Sequence, residues 1–210
     1  MRIASLLVLC LALASPAVTQ TLYSNGPING NTDGWTINFG FIVSDTFNVT
    51  NNNTTITGAD FGIWLFSGDT LTSAELSITS GENSGTTYFD QVINFNRGSC
   101  VINTYGYDVC NEISAFNGPT LNAGTYWLNL QNASVPSGDP AFWDENEGPA
   151  QASENSVGSI PSESFTVLGT GSTTTSTTTS TTTSVPEPSS IMLFGSGILG
   201  LAGLLRRKLF

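Results

Sequence analysis

Through the middle of the chain, apolar and polar residues alternate with a period of two and never settle into helical spacing. Trp35, Ile37, Phe39, Phe41 and Val43 alternate with Thr36, Asn38, Gly40 and Ile42, which predicts a strand with one buried face. Phe61, Ile63 and Leu65 repeat the pattern, with Trp64 and Phe66 on the opposite face, and Leu76 and Ile78 mark a third strand. Thr87, Phe89, Gln91, Ile93 and Phe95 form one further series, and Tyr126, Leu128 and Leu130 form another. Phe165 and Val167 give a last strand. Turn-forming clusters separate the runs: Gly30-Asn31, Asn51-Asn52-Asn53, Ser67-Gly68-Asp69, Gly81-Glu82-Asn83 and Asn122-Ala123-Gly124. Short strands at this interval predict an all-β fold, a single β-sandwich of jelly-roll-like type. A β-solenoid would require a fixed internal repeat, and none is present.

The two ends break this pattern. Arg2, an apolar run from Ile3 to Ala14 and then small residues have the three parts of a secretory signal. Ser15 and Ala17 suit the −3 and −1 positions, so residues 1–17 are expected to form a signal helix handled by the Sec export machinery and removed together with Cys10. Residues 18–168 then form the β-sandwich domain, one domain's worth of chain. Residues 169–184 are almost wholly Thr and Ser. With no apolar group to bury, that segment cannot offset its ordering entropy and is expected to be a disordered stalk. A Thr lattice for ice would need a folded core beneath it, which this composition does not provide.

Residues 185–210 have a third character. Val185, Pro186, Glu187 and Pro188 precede an uncharged stretch from Ser189 to Leu205 containing Ile191, Leu193, Phe194, Leu199, Leu201, Leu204 and Leu205. Arg206, Arg207 and Lys208 follow. As a helix the stretch rises about 25 Å, close to a membrane span. The basic cluster should remain cytoplasmic, which directs the preceding domain outward.

This tripartite end resembles a PEP-CTERM sorting tail, a type also labelled an ice-binding-protein C-terminal domain. The resemblance implies export in a Gram-negative bacterium, inner-membrane anchoring with the domain in the periplasm, and cutting near Pro186-Glu187-Pro188 by an exosortase-type enzyme. It further implies a place at the cell surface or in the extracellular matrix, with polysaccharide as a partner. It covers only the tail and says nothing of the central domain's family.

Charge narrows the chemistry. The net charge is −11, and Arg97 is the one basic residue between signal and tail. A nucleic acid backbone would be repelled. There is no His in the chain and no Lys before the tail, which excludes Ser-His-Asp and Cys-His catalysis. Carboxylate chemistry on a glycoside is the remaining enzymatic alternative, with Glu75, Glu82, Asp90, Asp144, Glu145 and Glu147 as candidates, but their spacing matches no recognisable pair. The expectation is therefore a non-catalytic protein. Arg97 is expected to pair with a nearby carboxylate.

Two further features are candidate sites. Cys100 and Cys110 lie symmetrically about Tyr105, with Gly106 suited to a turn, so they are expected to face each other across a hairpin as a disulfide. The segment Ser137–Pro149 gathers Asp139, Asp144, Glu145 and Glu147 around Trp143. Hard oxygen ligands on such a loop are candidates for Ca2+, and Trp143 is a candidate platform for a sugar ring.

Overall fold

The computed structural model describes residues 19–171. The expected signal helix, most of the Thr/Ser stalk and the membrane segment lie outside the described residues. In chain order the strands are β1 (Gln20–Ser24), β2 (Gly34–Thr36), β3 (Ile42–Val49), β4 (Thr54–Leu65) and β5 (Ser73–Gly81). Next come β6 (Ser84–Asn94), β7 (Asn96–Ile102), β8 (Asp108–Ala115), β9 (Thr120–Leu121) and β10 (Gly124–Ser134). Then follow β11 (Phe142–Asp144), β12 (Ala152–Glu154), β13 (Gly158–Ile160) and β14 (Phe165–Thr170). Among the described residues the fold is all-β, without a helix.

The strands form two antiparallel sheets. In the first, β4 is the centre. β14 and then β11 pair along one of its edges, β9 and then β8 along the other. Outside these lie β1 on β14, β2 on β11 and β7 on β8. The second sheet runs β13-β12-β3-β10-β5-β6.

Alternation explains which faces meet. Phe61, Ile63 and Leu65 of β4 are fully buried, as are Leu76 and Ile78 of β5 and Leu130 of β10. With Phe47, Leu128, Phe165 and Val167 they form one cluster between the sheets. Trp143 sits at its centre, edge-on to Phe61 at 5.4 Å and to Phe165 at 5.6 Å. Burying each such side chain contributes about 1.5–3 kcal/mol. β14 continues two residues beyond Leu168, to Thr170.

One expected strand is not continuous. The run Trp35 to Val43 is broken between β2 and β3 by left-handed backbone at Phe39 (φ 59°) and Gly40 (φ 91°). Phe39 and Phe41 consequently point to solvent, 65% and 39% exposed, while Ile37 and Val43 stay in the core. The Asn-rich turn is as expected: Asn53 is left-handed, and the Thr54 hydroxyl donates to Asn51 O at 2.8 Å.

Candidate functional site

Cys100 and Cys110 face each other across β7 and β8 and are joined in a disulfide. The turn between these strands is built on Asn103. Its side-chain oxygen accepts the backbone N–H of Tyr105 at 3.0 Å and of Tyr107 at 2.9 Å. Gly106 takes the positive φ the turn requires. The hairpin presents Val101, Ile102 and Tyr105 to solvent, 72%, 67% and 62% exposed.

Facing this hairpin is the loop after β1. Ile28, Asn29, Gly30 and Asn31 form one wall of a groove of about 310 Å³, and Ser99, Val101, Ile102, Asn103 and Val109 form the other. None of these side chains is charged. Gly30 has φ +64°, and a Cβ there would meet a Val109 methyl at 3.2 Å, so only glycine brings the walls this close. Tyr105 stands at the groove's rim. Its hydroxyl donates to Asn31 O at 3.4 Å, and its ring stacks on Trp64 with centroids 6.0 Å apart.

The loop wall is held from below by Asp144, which is fully buried. One carboxylate oxygen accepts the N–H of Asn29 at 2.9 Å, and the other accepts that of Gly30 at 2.8 Å. The Trp64 indole N–H also donates to Asp144. Loop, hairpin and aromatic rim thus share one buried anchor.

This geometry reassigns the acidic segment. Trp143 is fully buried and its indole N–H donates to Ser164 O at 2.9 Å, so it cannot serve as a sugar platform. The physical reason is strand alternation: β11 turns Trp143 into the core and Asp144 away from it. Glu145 accepts the Trp35 indole N–H at 3.0 Å, Glu147 is exposed, and Asp139 lies in another turn, where its N–H meets the Ser137 hydroxyl at 3.3 Å. Asp139, Asp144, Glu145 and Glu147 do not converge. Among the described residues, no three acids or other ligating side chains are grouped to hold a metal ion.

The other acids are dispersed as well. Glu75 accepts from the amides of Gln131 and Asn132 at 2.8 Å each. Glu82 and Asp90 are exposed. Arg97 makes the expected ion pair, its Nε 3.4 Å from Glu112 Oε1, and also donates to Asp69 O. Glu112 is fully buried, and burial raises its pKa more than Arg97 lowers it.

Period-two reasoning missed a second buried polar group. Asn25 is fully buried just after β1. Its amide nitrogen donates to Asp45 Oδ2 at 3.0 Å and to Glu163 O at 2.7 Å, and also contacts the Ser162 hydroxyl. Burial pushes the Asp45 carboxyl up to about 7.

Residues 184–208 match the PEP-CTERM protein-sorting motif, which implies an exported, membrane-anchored protein processed by an exosortase-type enzyme for the cell surface. No curated protein matches the chain. Val185, Pro186, Glu187, Pro188 and the basic cluster fall within the matched segment.

Proposed function

We propose that the β domain is a non-catalytic surface or extracellular-matrix module that contacts neutral polysaccharide through the groove between the loop at 28–31 and the disulfide hairpin. The observation that carries this reading is the lining of the groove. In a chain of net charge −11, its walls hold only apolar and amide or hydroxyl side chains. An anionic chain would be repelled by the protein as a whole, and a cationic one would find no carboxylate on the groove wall. A neutral sugar offers hydroxyls that both donate and accept, matching Asn29, Asn31 and Asn103. Its C–H faces match Ile28, Val101 and Ile102. Tyr105, backed by Trp64, supplies a ring at the rim.

The architecture supports the same reading. The main strands run in the order β1-β14-β4-β8 in one sheet and β3-β10-β5-β6 in the other, the order of a jelly roll. The sorting tail supports export, membrane anchoring and processing for the cell surface. We infer in addition export through the Sec machinery and anchoring with the domain in the periplasm of a Gram-negative cell.

The test is a glycan array with the full-length exported protein in mild detergent, alongside Tyr105→Ala and Ile102→Asp. Binding to neutral glycans, weakened tenfold or more by either change, is the expected result. A preference for anionic glycans, or binding indifferent to both changes, would remove the groove from the function.

A further inference from the structure

Three carboxylic acids point into the interior where the two sheets meet. Asp45 and Glu163 are fully buried and Glu145 is 8% exposed. Strand alternation puts them there. Asp45 lies between the core residues Val43 and Phe47, Glu145 lies two residues after Trp143, and Glu163 lies two before Phe165. Glu145 and Glu163 are partners in an antiparallel bridge, so their side chains leave the backbone on the same side.

Asp45 lies on β3 of one sheet, and its partners lie in the segments that flank β1 and β14 of the other. Its Oδ2 accepts the Glu163 N–H at 2.8 Å, the Asn25 amide at 3.0 Å and the Ser162 hydroxyl at 3.3 Å. Asn25 follows β1 and Glu163 precedes β14, so a single carboxyl of β3 fastens both segments. Both side-chain oxygens of Glu163 lack a hydrogen-bond donor. The one cation among the described residues, Arg97, is engaged with Glu112. The other titratable groups facing this layer are also acids. Asp33 and Asp144 act on Glu163, and the Tyr23 hydroxyl donates to Asn25 Oδ1. Glu154 on the adjacent β12 is capped by the Ser156 N–H and hydroxyl.

Asp45 has hydrogen-bond donors but no cation, and Glu163 has neither, so as buried anions they repel each other and Glu163 loses its hydration without compensation. A proton removes both penalties. We propose that Asp45 and Glu163 form a proton-held latch that fastens the two sheets at one end of the domain, closed while the pair carries its protons and loosened as it loses them.

The direction of the pH dependence follows from burial. In the unfolded chain Asp45 titrates near 3.8 and Glu163 near 4.5. In the fold, burial holds Asp45 at about 7. Burial, with repulsion from Asp45, Glu145, Asp144 and Asp33, lifts Glu163 well above its ordinary value. The folded state therefore binds more protons than the unfolded state. The Asp45 contribution is fully present below about pH 4 and is lost as pH rises through about 7. The Glu163 contribution is likewise present at low pH and lost as pH rises through its raised folded value.

The experiment is a set of thermal melts of the full-length exported protein in mild detergent from pH 5 to 9, in chelator and in millimolar calcium, with Glu163→Gln beside the parent. In chelator the parent should melt roughly 5 °C or more lower at pH 8 than at pH 5. Glu163→Gln should flatten that fall and melt above the parent at pH 8. Carbon-13 titration in the parent should show a midpoint near 7 for the Asp45 carboxyl and one raised above the ordinary value for Glu163, a readout that does not depend on the variant folding. Midpoints near 4, or a fall in melting temperature identical in parent and variant, would overturn the latch. Calcium restoring the parent at pH 8, with Glu163→Gln losing that response, would overturn it in favour of a cation site.

Discussion

The backbone N–H of Gly30 donates to a carboxylate oxygen of Asp144 at 2.8 Å, joining the wall of the groove to a strand in the interior of the sheet. A loop residue that must approach Val109 closely is thereby held by a group that is itself immobilised in β11. Asn29 and the Trp64 indole share the same carboxylate, so one group holds both the loop and the aromatic rim.

Asp144→Ala should therefore disturb the groove before the core. It leaves two backbone N–H groups and one indole N–H without their acceptor in a buried setting, and each unmet donor costs about 1–3 kcal/mol. A total loss of about 3 kcal/mol or more in urea unfolding is expected. Amide exchange at Asn29 and Gly30 should rise out of proportion to the rest of the domain. Asp144→Asn keeps an acceptor and should cost less. Uniform exchange across the domain would show that Asp144 supports the fold generally and not the loop in particular.

The disulfide holds the opposite wall. Cys100 and Cys110 flank most of the hairpin residues that line the groove, so the cross-link restricts the unfolded chain and also steadies the site. Replacing both by Ser should cost about 2–3 kcal/mol, the range for a short closed loop. Binding to any glycan identified on the array should weaken in the reduced protein. An unreduced digest that yields both thiols free would contradict the pairing.

The strands were legible where alternation was uninterrupted, as in Phe61-Ile63-Leu65 and Tyr126-Leu128-Leu130, because burial on one face leaves a direct mark on composition. The break at Phe39-Gly40 was not legible. A left-handed pair inserted into an alternating run preserves the apolar letters while reversing the chain. The groove was legible only in its hairpin half, from the Cys spacing. Its other wall lies far away in sequence, with Asn31 meeting Tyr105 across 74 positions. Asp45 and Glu163 were missed because carboxylates read as surface residues. The available signal was parity: Asp45 occupies an inward position in the series Val43, Asp45, Phe47, Val49. Trp143 and Asp144 were singled out as sugar platform and calcium ligand, but neighbours on a strand face opposite sides, and that separates a ring in the core from a carboxylate under the loop.

The tail makes a prediction of its own. Membrane insertion depends on apolar area and the flanking charge, whereas an exosortase-type cut is expected to depend on the Pro186-Glu187-Pro188 sequence. Deleting residues 185–210 should release the domain into the periplasm or the medium. Replacing Pro186, Glu187 and Pro188 with Ala should leave the protein inserted but uncut, as read by fractionation and by the mass of the released form. Cutting at an unchanged position in the triple variant would count against an exosortase-type step.

Arg97 and Glu112 provide a test of charge in the fold. Glu112 is fully buried, and Arg97 is its one cationic partner among the described residues. The Glu112 pKa is already raised, because desolvation outweighs the attraction of the guanidinium. Removing Arg97 takes away the lowering influence and raises it further. For a carboxyl whose folded pKa lies above its unfolded value, the associated stability is present at low pH and lost as pH rises through the folded value. Arg97→Met should therefore cost least at low pH, where Glu112 is most protonated. At pH 8 it should cost about 1–3 kcal/mol, less than a fully buried broken pair because the Arg97 side chain is 28% exposed. Adding Glu112→Gln to Arg97→Met should recover most of that loss, since no buried charge is left unpaired. Urea unfolding of the parent, both single variants and the double variant at pH 4 and pH 8 measures the coupling. An Arg97→Met penalty equal at both pH values would show that the side chain acts through its contacts with the Asp69 turn and not through its charge.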